Sequence, residues 1–460
     1  MLRSVEVFKK RTYSIGSIFC HRVTARNWFT INICLFLFIL ASCSTRTTNE
    51  THPPIISGEE NQKIITNGEQ KIGLLLPLSG RNGALGQNML NAAKLALKDT
   101  PSPTLDVQDT QQVGGAIEAA RRALASGDAI ILGPLTAKST TEAASVVSMK
   151  VPLLAYTSDV NVAGPKVWVF GLTPEQQVMT MVLLAKQNGK TKFAGFFSDN
   201  ALGHAMADGL INACSKLNLM QPNIVYHDAT KEDIVQKLKI LSEYDRRVNL
   251  QETRHAQQTP GEDKNSALNT SNDDLLNQLA PTERADKPTD TLAKVSEDSI
   301  PFDALLLSDT GLQLQSVIEA LSEAKISSQQ VQIMGPALWA AFAGKLKKLE
   351  NAWYAAPDPN KRQGFVNQYM ASYGQAPKQL SDLAYDTAAL AKFLNQRGGY
   401  TLENLTRADG FDGVDGLFVL KADGHVKRDL QIFQIQSTGG AKMLPVNVNS
   451  SSDVQNKISH

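Results

Sequence analysis

The segment KIGLLLPLSGRNGALGQNMLNAAKLAL, Lys71–Leu97, decides which fold the sequence predicts. A short apolar run, Ile72–Leu76, is followed by a serine and by a loop with three evenly spaced glycines. Apolar residues then recur every three to four positions, which is the spacing of one helix face. The segment predicts a buried strand, a glycine-rich turn and an amphipathic helix. The loop could hold a small anionic ligand or could turn the chain sharply, and the sequence leaves both interpretations open.

The pattern of strand followed by helix repeats along most of the chain. The next predicted strands are Leu105–Thr110, Ala129–Leu135 and Val151–Ser158, with helical segments between them. A second series of predicted strands comprises Lys192–Ser198, 222–228, Phe302–Asp309 and Val331–Trp339. Strands that are apolar throughout and alternate with helices are typical of parallel sheets covered on both faces. The predicted fold class is α/β, with two doubly wound parallel-sheet lobes.

The composition argues against several classes of function. The 460 residues carry a formal net charge of +1, and no lysine- or arginine-rich run follows the N-terminal segment, so nucleic-acid binding is not expected. The sequence contains no nucleophile elbow, zinc-protease motif or phosphate-binding loop, and its seven histidines are scattered. We therefore expect a protein that is not an enzyme, with no catalytic residue, no metal site and no cofactor; an undetected hydrolase is a remaining alternative.

The first 43 residues have the pattern of an export signal. A basic segment precedes an apolar run, Trp28–Leu40, which is about as long as a signal-peptide core and short for a membrane span. The run ends in LASC, Leu40–Cys43, which resembles the lipobox of bacterial lipoproteins. Residues 1–42 are predicted to be a lipoprotein signal peptide and Cys43 the acylated residue, with an uncleaved membrane anchor as the alternative. Residues 43–70 are predicted to be a flexible tether.

A long polar segment interrupts the second series of strands. Residues 245–300 contain no phenylalanine, tryptophan or tyrosine and are rich in amide, hydroxyl and acidic side chains. A segment of this composition cannot bury enough apolar surface to fold by itself. It is predicted to be a disordered insertion, either a loose surface loop or a segment that docks on a partner.

Hydroxyl side chains stand where three predicted strands of the first lobe end. These are Ser79, Thr136 and Ser158. In an open parallel sheet, ligands bind outside the carboxyl ends of the strands, where backbone N–H groups and helix dipoles favour an anion. The same residue types also cap helices and form turns. The sequence therefore leaves open a site for a carboxylate or an amide and a purely structural role.

Taken together, these segments resemble the type I periplasmic binding proteins, the family of the leucine/isoleucine/valine receptors. The resemblance covers roughly 71–436 and rests on the order of IGLLLPLSG, ILGPL, VPLLAYTS, FGLTPEQQ, MGP and FDGVDGLFVLKADGHVKR. It implies two lobes joined by three hinge crossovers, near Gly171–Thr173, Met334–Pro336 and Phe411–Asp415.

The expected domain boundaries follow from this resemblance. They are 71–172 for the first part of lobe 1, 173–334 for lobe 2 with its insertion, 335–412 for the second part of lobe 1, 413–436 for a closing hairpin of lobe 2, and 437–460 for a tail.

Within the family, the sequence looks most similar to the penicillin-binding protein activator lipoproteins, on the motifs LLLPLSG, DT, GPL and LTPE. The resemblance implies an envelope lipoprotein that stimulates a murein synthase by direct contact. The alternative is the amino-acid- or amide-binding component of an ABC importer. The expected partners are thus a penicillin-binding protein or an importer permease. Ser44 is not the aspartate that commonly marks inner-membrane retention, so we expect an anchor in the outer membrane facing the periplasm.

The resemblance also implies a set of cleft residues. The candidate ligand-binding positions are Ser79, Gly80, Gly86, Leu135, Thr136, Ala137, Tyr156, Thr157, Ser158, Leu202 and Gln313. Several depart from the receptor pattern: Ala137 replaces a serine, and Gln313 falls where the ammonium-binding glutamate is expected. A neutral amide cannot compensate a buried ammonium group. A leucine-type zwitterion is therefore not expected, whereas an amide, a peptide fragment or an empty cleft remain possible.

Overall fold

The computed structural model describes residues 70–249 and 299–445, which form two sheet-based lobes. The predicted signal peptide, Cys43, nearly all of the tether, residues 250–298 of the insertion and the end of the tail lie outside the described residues. The α/β fold class with two parallel-sheet lobes is confirmed.

The first lobe is built on a five-stranded, all-parallel sheet with the order β2-β1-β3-β4-β5. Its strands are β1 Lys71–Leu76, β2 Thr104–Asp109, β3 Asp128–Leu132, β4 Leu153–Ala155 and β5 Val167–Val169. The helices between them are α1 Gly83–Ala96, α2 Gly115–Ala125 and α3 Ala137–Ala144. Because β1 is buried on both faces, its last five residues, Ile72–Leu76, are apolar or glycine, as the sequence pattern predicts.

The second lobe is built on a seven-stranded sheet with the order β15-β14-β10-β9-β8-β6-β7. Strands β6 to β10 are parallel, and β14 and β15 add to their edge as antiparallel strands. The strands are β6 Phe193–Ser198, β7 Asn223–His227, β8 Ala304–Leu307, β9 Gln332–Gly335, β10 Trp353–Ala356, β14 Gln431–Ile435 and β15 Ala441–Met443. The helices are α4 Pro174–Gln187, α5 Ala201–Lys216, α6 Lys231–Leu241 and α7 Gly311–Glu323.

Three further helices return to the first lobe, followed by a small third sheet. The helices are α8 Pro359–Tyr373, α9 Ser381–Asn395 and the short α10 Leu402–Leu405, and the strands are β11 Phe411–Gly413, β12 Gly416–Leu420 and β13 Val426–Arg428. Residues of α8, α9 and this sheet share one apolar cluster with β1 and α1. The segment 359–428 therefore belongs to the first lobe.

The chain crosses between the lobes three times, but two crossings differ from the expected positions. The first lies between Phe170 and Leu172, which pack in different lobes, as expected. The second lies just after β10, not at Met334–Pro336, because β10 pairs with β9 in the second sheet. The expected position rested on the family resemblance and not on a local pattern in this chain.

The third crossing lies after β13, not at Phe411–Asp415. Alternating apolar residues predict the β12–β13 hairpin but do not reveal which core receives it, and Phe418 and Val426 pack in the first lobe. Only β14 and β15 return to the second sheet. The expected boundaries 335–412 and 413–436 are corrected accordingly.

Two segments that the sequence predicts to be irregular contain regular secondary structure in part. The predicted tail from Ser437 contains β15, which pairs with β14. The predicted insertion begins with helical residues at 245–249, where buried Arg247 donates hydrogen bonds to the Ala324 carbonyl at 2.7 Å and to Ser242. These bonds satisfy carbonyls that follow α6 and α7, and they attach residues 245–249 to both helices.

Candidate functional site

The first strand end of lobe 1 is occupied by an internal hydrogen-bond network. The exposed Ser79 Oγ donates to Asp109 Oδ2 at 2.8 Å. Asp109 Oδ1 accepts from the backbone N–H groups of Leu78 and Gln111, each at 2.9 Å. Burial alone would raise the pKa of Asp109, but these hydrogen bonds outweigh it and lower the pKa. A carboxylate fixed at this position would repel a ligand carboxylate, and the Ser79 proton is already donated.

The glycines of the opening loop have local structural reasons. Gly80 has φ of +67°, a conformation that glycine adopts without strain, and starts a single turn of 3₁₀ helix. A Cβ on Gly86 would lie 2.0 Å from the Pro77 carbonyl oxygen, so only glycine lets α1 pack this closely on the loop. These contacts favour the turn interpretation of the glycine spacing.

The second strand end forms a helix cap. Thr136 precedes α3 with an extended backbone, and its Oγ1 accepts from the Ser139 backbone N–H at 3.2 Å. Its hydroxyl also donates to Ser139 Oγ at 3.0 Å. Leu135 and Ala137, on either side, are partly buried. The structure thus shows Thr136 in the capping role that the sequence left open.

The third strand end separates into buried and exposed residues. The Tyr156 side chain is 2% exposed, packs in the core of lobe 1 and bonds to Thr387 Oγ1 at 2.9 Å. This removes its side chain from the candidate ligand contacts, because the strand's alternation points it inward. Thr157 is buried and accepts from the Asp159 backbone N–H. Ser158 is exposed, and within the described residues its side chain makes no hydrogen bond.

The predicted contacts of lobe 2 lie on α5 and α7. Gln313 Nε2 donates to the Asp228 carbonyl at 3.3 Å, so the amide that replaces the receptor's glutamate is attached to its own lobe. Leu202 is partly buried in the first turn of α5. His204 bonds to Asp199 at 2.8 Å on the surface, while Asn200 caps the helix.

A buried polar cluster at the strand ends of lobe 2 was missed by the sequence reading. Asp309 Oδ1 accepts from Ser198 Oγ at 2.5 Å, and its Oδ2 lies 3.2 Å from His227 Nε2. The His227 and Asp309 side chains have no exposed surface. Ser198, His227 and Asp309 lie at or just after the ends of β6, β7 and β8, which are adjacent in the sheet. Comparing the last residues of adjacent predicted strands would have identified the cluster.

His227 Nε2 and Asp309 Oδ2 share one proton in this cluster. His227 Nδ1 is 2.7 Å from the Asp228 carbonyl, which can only accept, so Nδ1 carries hydrogen. Nε2 faces a carboxylate, so a second proton lies between these two groups. Burial lowers the pKa of His227, but the bonds to Asp309 and Asp228 outweigh it and raise the pKa. The result is a buried ion pair at the strand ends of lobe 2.

This cluster does not have the arrangement of a catalytic triad. The serine hydroxyl bonds to the carboxylate and not to the imidazole, so no base is placed to activate it. Ser198, His227 and Asp309 are also each buried. In residues 70–249 and 299–445, no group of three or more histidine, cysteine, aspartate or glutamate side chains could hold a metal ion. The same residues include no helix with the length and hydropathy to span a bilayer.

Comparison with known families gives one match in sequence. Residues 69–239 match the family model described as periplasmic binding protein. None of the curated proteins compared with the chain matches its sequence.

Among solved structures, full-length LpoA from Haemophilus influenzae matches with a TM-score of 0.54 and 17% identity, over 83% of this chain and 60% of LpoA. The chain thus spans less than two thirds of full-length LpoA. The C-domain of that LpoA, described as a regulator of PBP1A, matches with a TM-score of 0.53 and 17% identity, over 82% of this chain and all of the domain.

An ABC transporter substrate-binding protein from Desulfitobacterium hafniense in complex with Leu matches with a TM-score of 0.52 and 13% identity, over 82% of this chain and 100% of that one. At these identities, the structural matches establish a shared fold.

Proposed function

We propose that the chain, whose residues 69–239 match the family model described as periplasmic binding protein, is a non-enzymatic lipoprotein of the bacterial envelope that activates a penicillin-binding protein by contact. In this proposal Cys43 carries the acyl anchor, in the outer membrane, and the two lobes face the periplasm. The fold shared with LpoA, whose C-domain is described as a regulator of PBP1A, supports this reading.

One observation carries the proposal: the polar groups that would hold an amino-acid zwitterion are bonded within the protein. Ser79, a strand-end hydroxyl that could bond a ligand's carboxylate, donates to Asp109. Gln313 donates to a backbone carbonyl, where a receptor would present a carboxylate to the ligand's ammonium group. Binding a zwitterion would require both bonds to break and would leave the ammonium group unpaired, which is costly in a closed cleft.

A second function, the binding component of an amino-acid or amide importer, is favoured by Ser158. Its side chain is exposed at the strand-end edge of lobe 1 and makes no hydrogen bond in residues 70–249 and 299–445. A hydroxyl in this position could bond an amide or a carboxylate. The fold shared with a substrate-binding protein in complex with Leu is compatible with this alternative.

A paired measurement on the purified protein distinguishes the two functions. The first part is a thermal-shift panel of the amino acids and their amides; a ligand at a hundred times its dissociation constant would add about 2.7 kcal/mol. The second part is binding to a bifunctional penicillin-binding protein, with its glycan synthesis rate as a readout. We expect no shift in the panel, and both binding and an increased rate with the synthase.

The opposite result, a saturable shift with an amino acid and no effect on the synthase, would establish the importer function instead. The anchor is tested separately on the full chain: mass spectrometry should find the acyl groups at Cys43, and Cys43→Ser should release the protein from the membrane fraction.

A further inference from the structure

A cavity in lobe 1, away from the strand-end residues of the candidate site, has a buried carboxyl group in its wall. It lies between α9 and the β11–β12 hairpin and has a volume of about 280 Å³. Asp386 of α9 lines it and is 2% exposed. Its Oδ1 accepts from the Val414 backbone N–H at 2.8 Å, whereas its buried Oδ2 has no hydrogen-bond partner. An unpartnered buried carboxyl oxygen is uncommon and is costly unless something bonds to it.

The rest of the lining is aromatic and cationic. Phe393, Phe411 and Phe418 line the cavity together with Asp386. Arg397 lines it as well and stacks on Phe393, with its guanidinium carbon 4.3 Å from the ring centroid. A volume of this size suits a ligand of roughly ten to fifteen non-hydrogen atoms, and pockets with a few polar groups in an apolar wall are typical ligand sites.

The geometry points to a second ligand site in this cavity, which takes small molecules with a primary ammonium group on an aromatic or other apolar body. The ammonium group would donate to Asp386 Oδ2, and a charge-assisted bond of this kind is among the stronger ones available in a protein. The phenyl rings would contact the apolar body. Oδ2 is buried beside Gly413, where a Cβ would lie 2.6 Å from it, so the ammonium group reaches this oxygen only when the Gly413 backbone moves aside.

The charges around Asp386 are compatible with a cationic ligand. Burial raises the pKa of Asp386 to about 7; Arg428 of β13 lowers it, and Asp382 and Asp412 raise it. Burial, Asp382 and Asp386 raise the pKa of Asp415, in the turn after β11. Arg428 makes no ion pair with Asp386 and instead donates to the Phe170 carbonyl at 2.8 Å. Lys392, which lines the cavity, donates to the Ala96 carbonyl. Three carboxyl groups surround the one that would bind the ammonium group, and Arg362 pairs with two of them, Asp382 at 3.4 Å and Asp415 at 3.9 Å.

The test measures binding to the purified protein by calorimetry at pH 8. Phenethylamine is the probe, and phenylpropionate is its matched anionic control. We expect saturable 1:1 binding of the amine and none of the acid. Because ammonium binding requires the ionised carboxylate, the affinity for the amine should fall about tenfold between pH 8 and pH 6 for a pKa near 7. Equal binding of the acid, or no binding of the amine at 10 mM, a limit of roughly −2.7 kcal/mol, would overturn the proposal.

Two variants locate the binding. Asp386→Asn keeps an oxygen for the Val414 N–H but removes the charge, and it should reduce the affinity for the amine at least tenfold. Ala389→Leu fills the cavity from α9 without changing the carboxyl group and should abolish binding. Ala371→Leu, the same change at an exposed position of α8, is the control and should bind normally. If Asp386→Asn does not fold, Ala389→Leu decides alone. Binding that survives in Ala389→Leu would place the amine elsewhere and overturn the proposal.

Discussion

The strand ends of the two lobes place similar polar residues in opposite environments. In lobe 1, Ser79, Thr136 and Ser158 are exposed, and two of them are bonded to near neighbours. In lobe 2, the corresponding edge is closed by the buried pair of His227 and Asp309, which also receives the hydroxyl of Ser198. The indole N–H of Trp339 donates to the Asp309 carbonyl at 2.9 Å and closes the edge further.

This difference shows that a strand-end position does not by itself determine the role of a polar residue. The edge of lobe 1 remains in contact with water, so its hydroxyls can exchange partners at little cost. The side chains of Ser198, His227 and Asp309 on the edge of lobe 2 are buried, so each of their polar atoms needs a fixed protein partner. The first edge is suited to recognition, whereas the second stabilises the sheet on which α5 and α7 are positioned.

The largest expected effect comes from breaking the buried pair. Asp309→Asn removes the charge that faces His227 and should reduce the free energy of unfolding by about 3 kcal/mol, as for other buried pairs that lose one partner. The measurement is urea unfolding at pH 6. The matched control is Asp199→Asn, which breaks the exposed pair with His204, whose side chains are 67% and 54% exposed. It should change stability by less than about 0.5 kcal/mol.

The pH dependence of the same variant gives an internal check. Because the pKa of His227 is raised in the folded state, the pair contributes fully below the ordinary histidine pKa of about 6.5 and loses its contribution as pH rises through the raised value. The difference between wild type and Asp309→Asn should therefore narrow from pH 6 to pH 9. A difference that widens over this range would show that His227 is neutral in the fold.

Removing the charge of a buried carboxyl group that has no cation partner should stabilise the protein, whereas the same change in the His227–Asp309 pair should destabilise it. Asp128 at the start of β3 is 3% exposed, and both of its oxygens have no hydrogen-bond partner. Burial and the adjacent Asp106 raise its pKa to about 7, with a smaller opposing effect of Lys71. The folded state thus holds a proton that the unfolded chain releases near pH 4, and the wild type loses stability as pH rises between these values.

Asp128→Asn cannot ionise, so it should be more stable than the wild type at pH 8, by on the order of 2 kcal/mol. The two proteins should be equally stable near pH 4. Thermal unfolding across this pH range is the measurement, and Asp159→Asn, at an exposed position, is the control. Lower stability of Asp128→Asn at pH 8 would mean that the carboxylate has a cation partner in solution.

The sequence predicted the parts of the fold that depend on local periodicity. The strands β1 to β4 and β6 to β9, with most of the helices between them, follow from apolar runs and helical spacing, because the chain itself carries that information. The expected positions of the second and third crossings were wrong, because a short strand such as Trp353–Ala356 can pair with either sheet and only tertiary packing decides which.

The same distinction applies to the site. The exposed hydroxyls were located correctly by their positions after strands, but the partner that each one takes depends on residues distant in sequence. Ser79 bonds to Asp109, 30 residues away, and Ser198 to Asp309, 111 residues away. Tyr156 was included among the ligand contacts on the family resemblance, although its hydroxyl bonds to Thr387, 231 residues later. A spacing rule within one segment cannot predict contacts of this range.

The smallest expected effect distinguishes the capping hydroxyl of Thr136 from the hydroxyl of Ser158, both on the edge of lobe 1. Thr136→Ala removes the cap of α3 and should cost about 1 kcal/mol of stability. Ser158→Ala removes a side chain that bonds to nothing in residues 70–249 and 299–445 and should cost less than about 0.5 kcal/mol. Urea unfolding of both variants measures the difference. Since a residue without a structural role is free to serve recognition, a neutral Ser158→Ala keeps Ser158 as the best candidate contact of this edge; a cost equal to that of Thr136→Ala would make the whole edge structural.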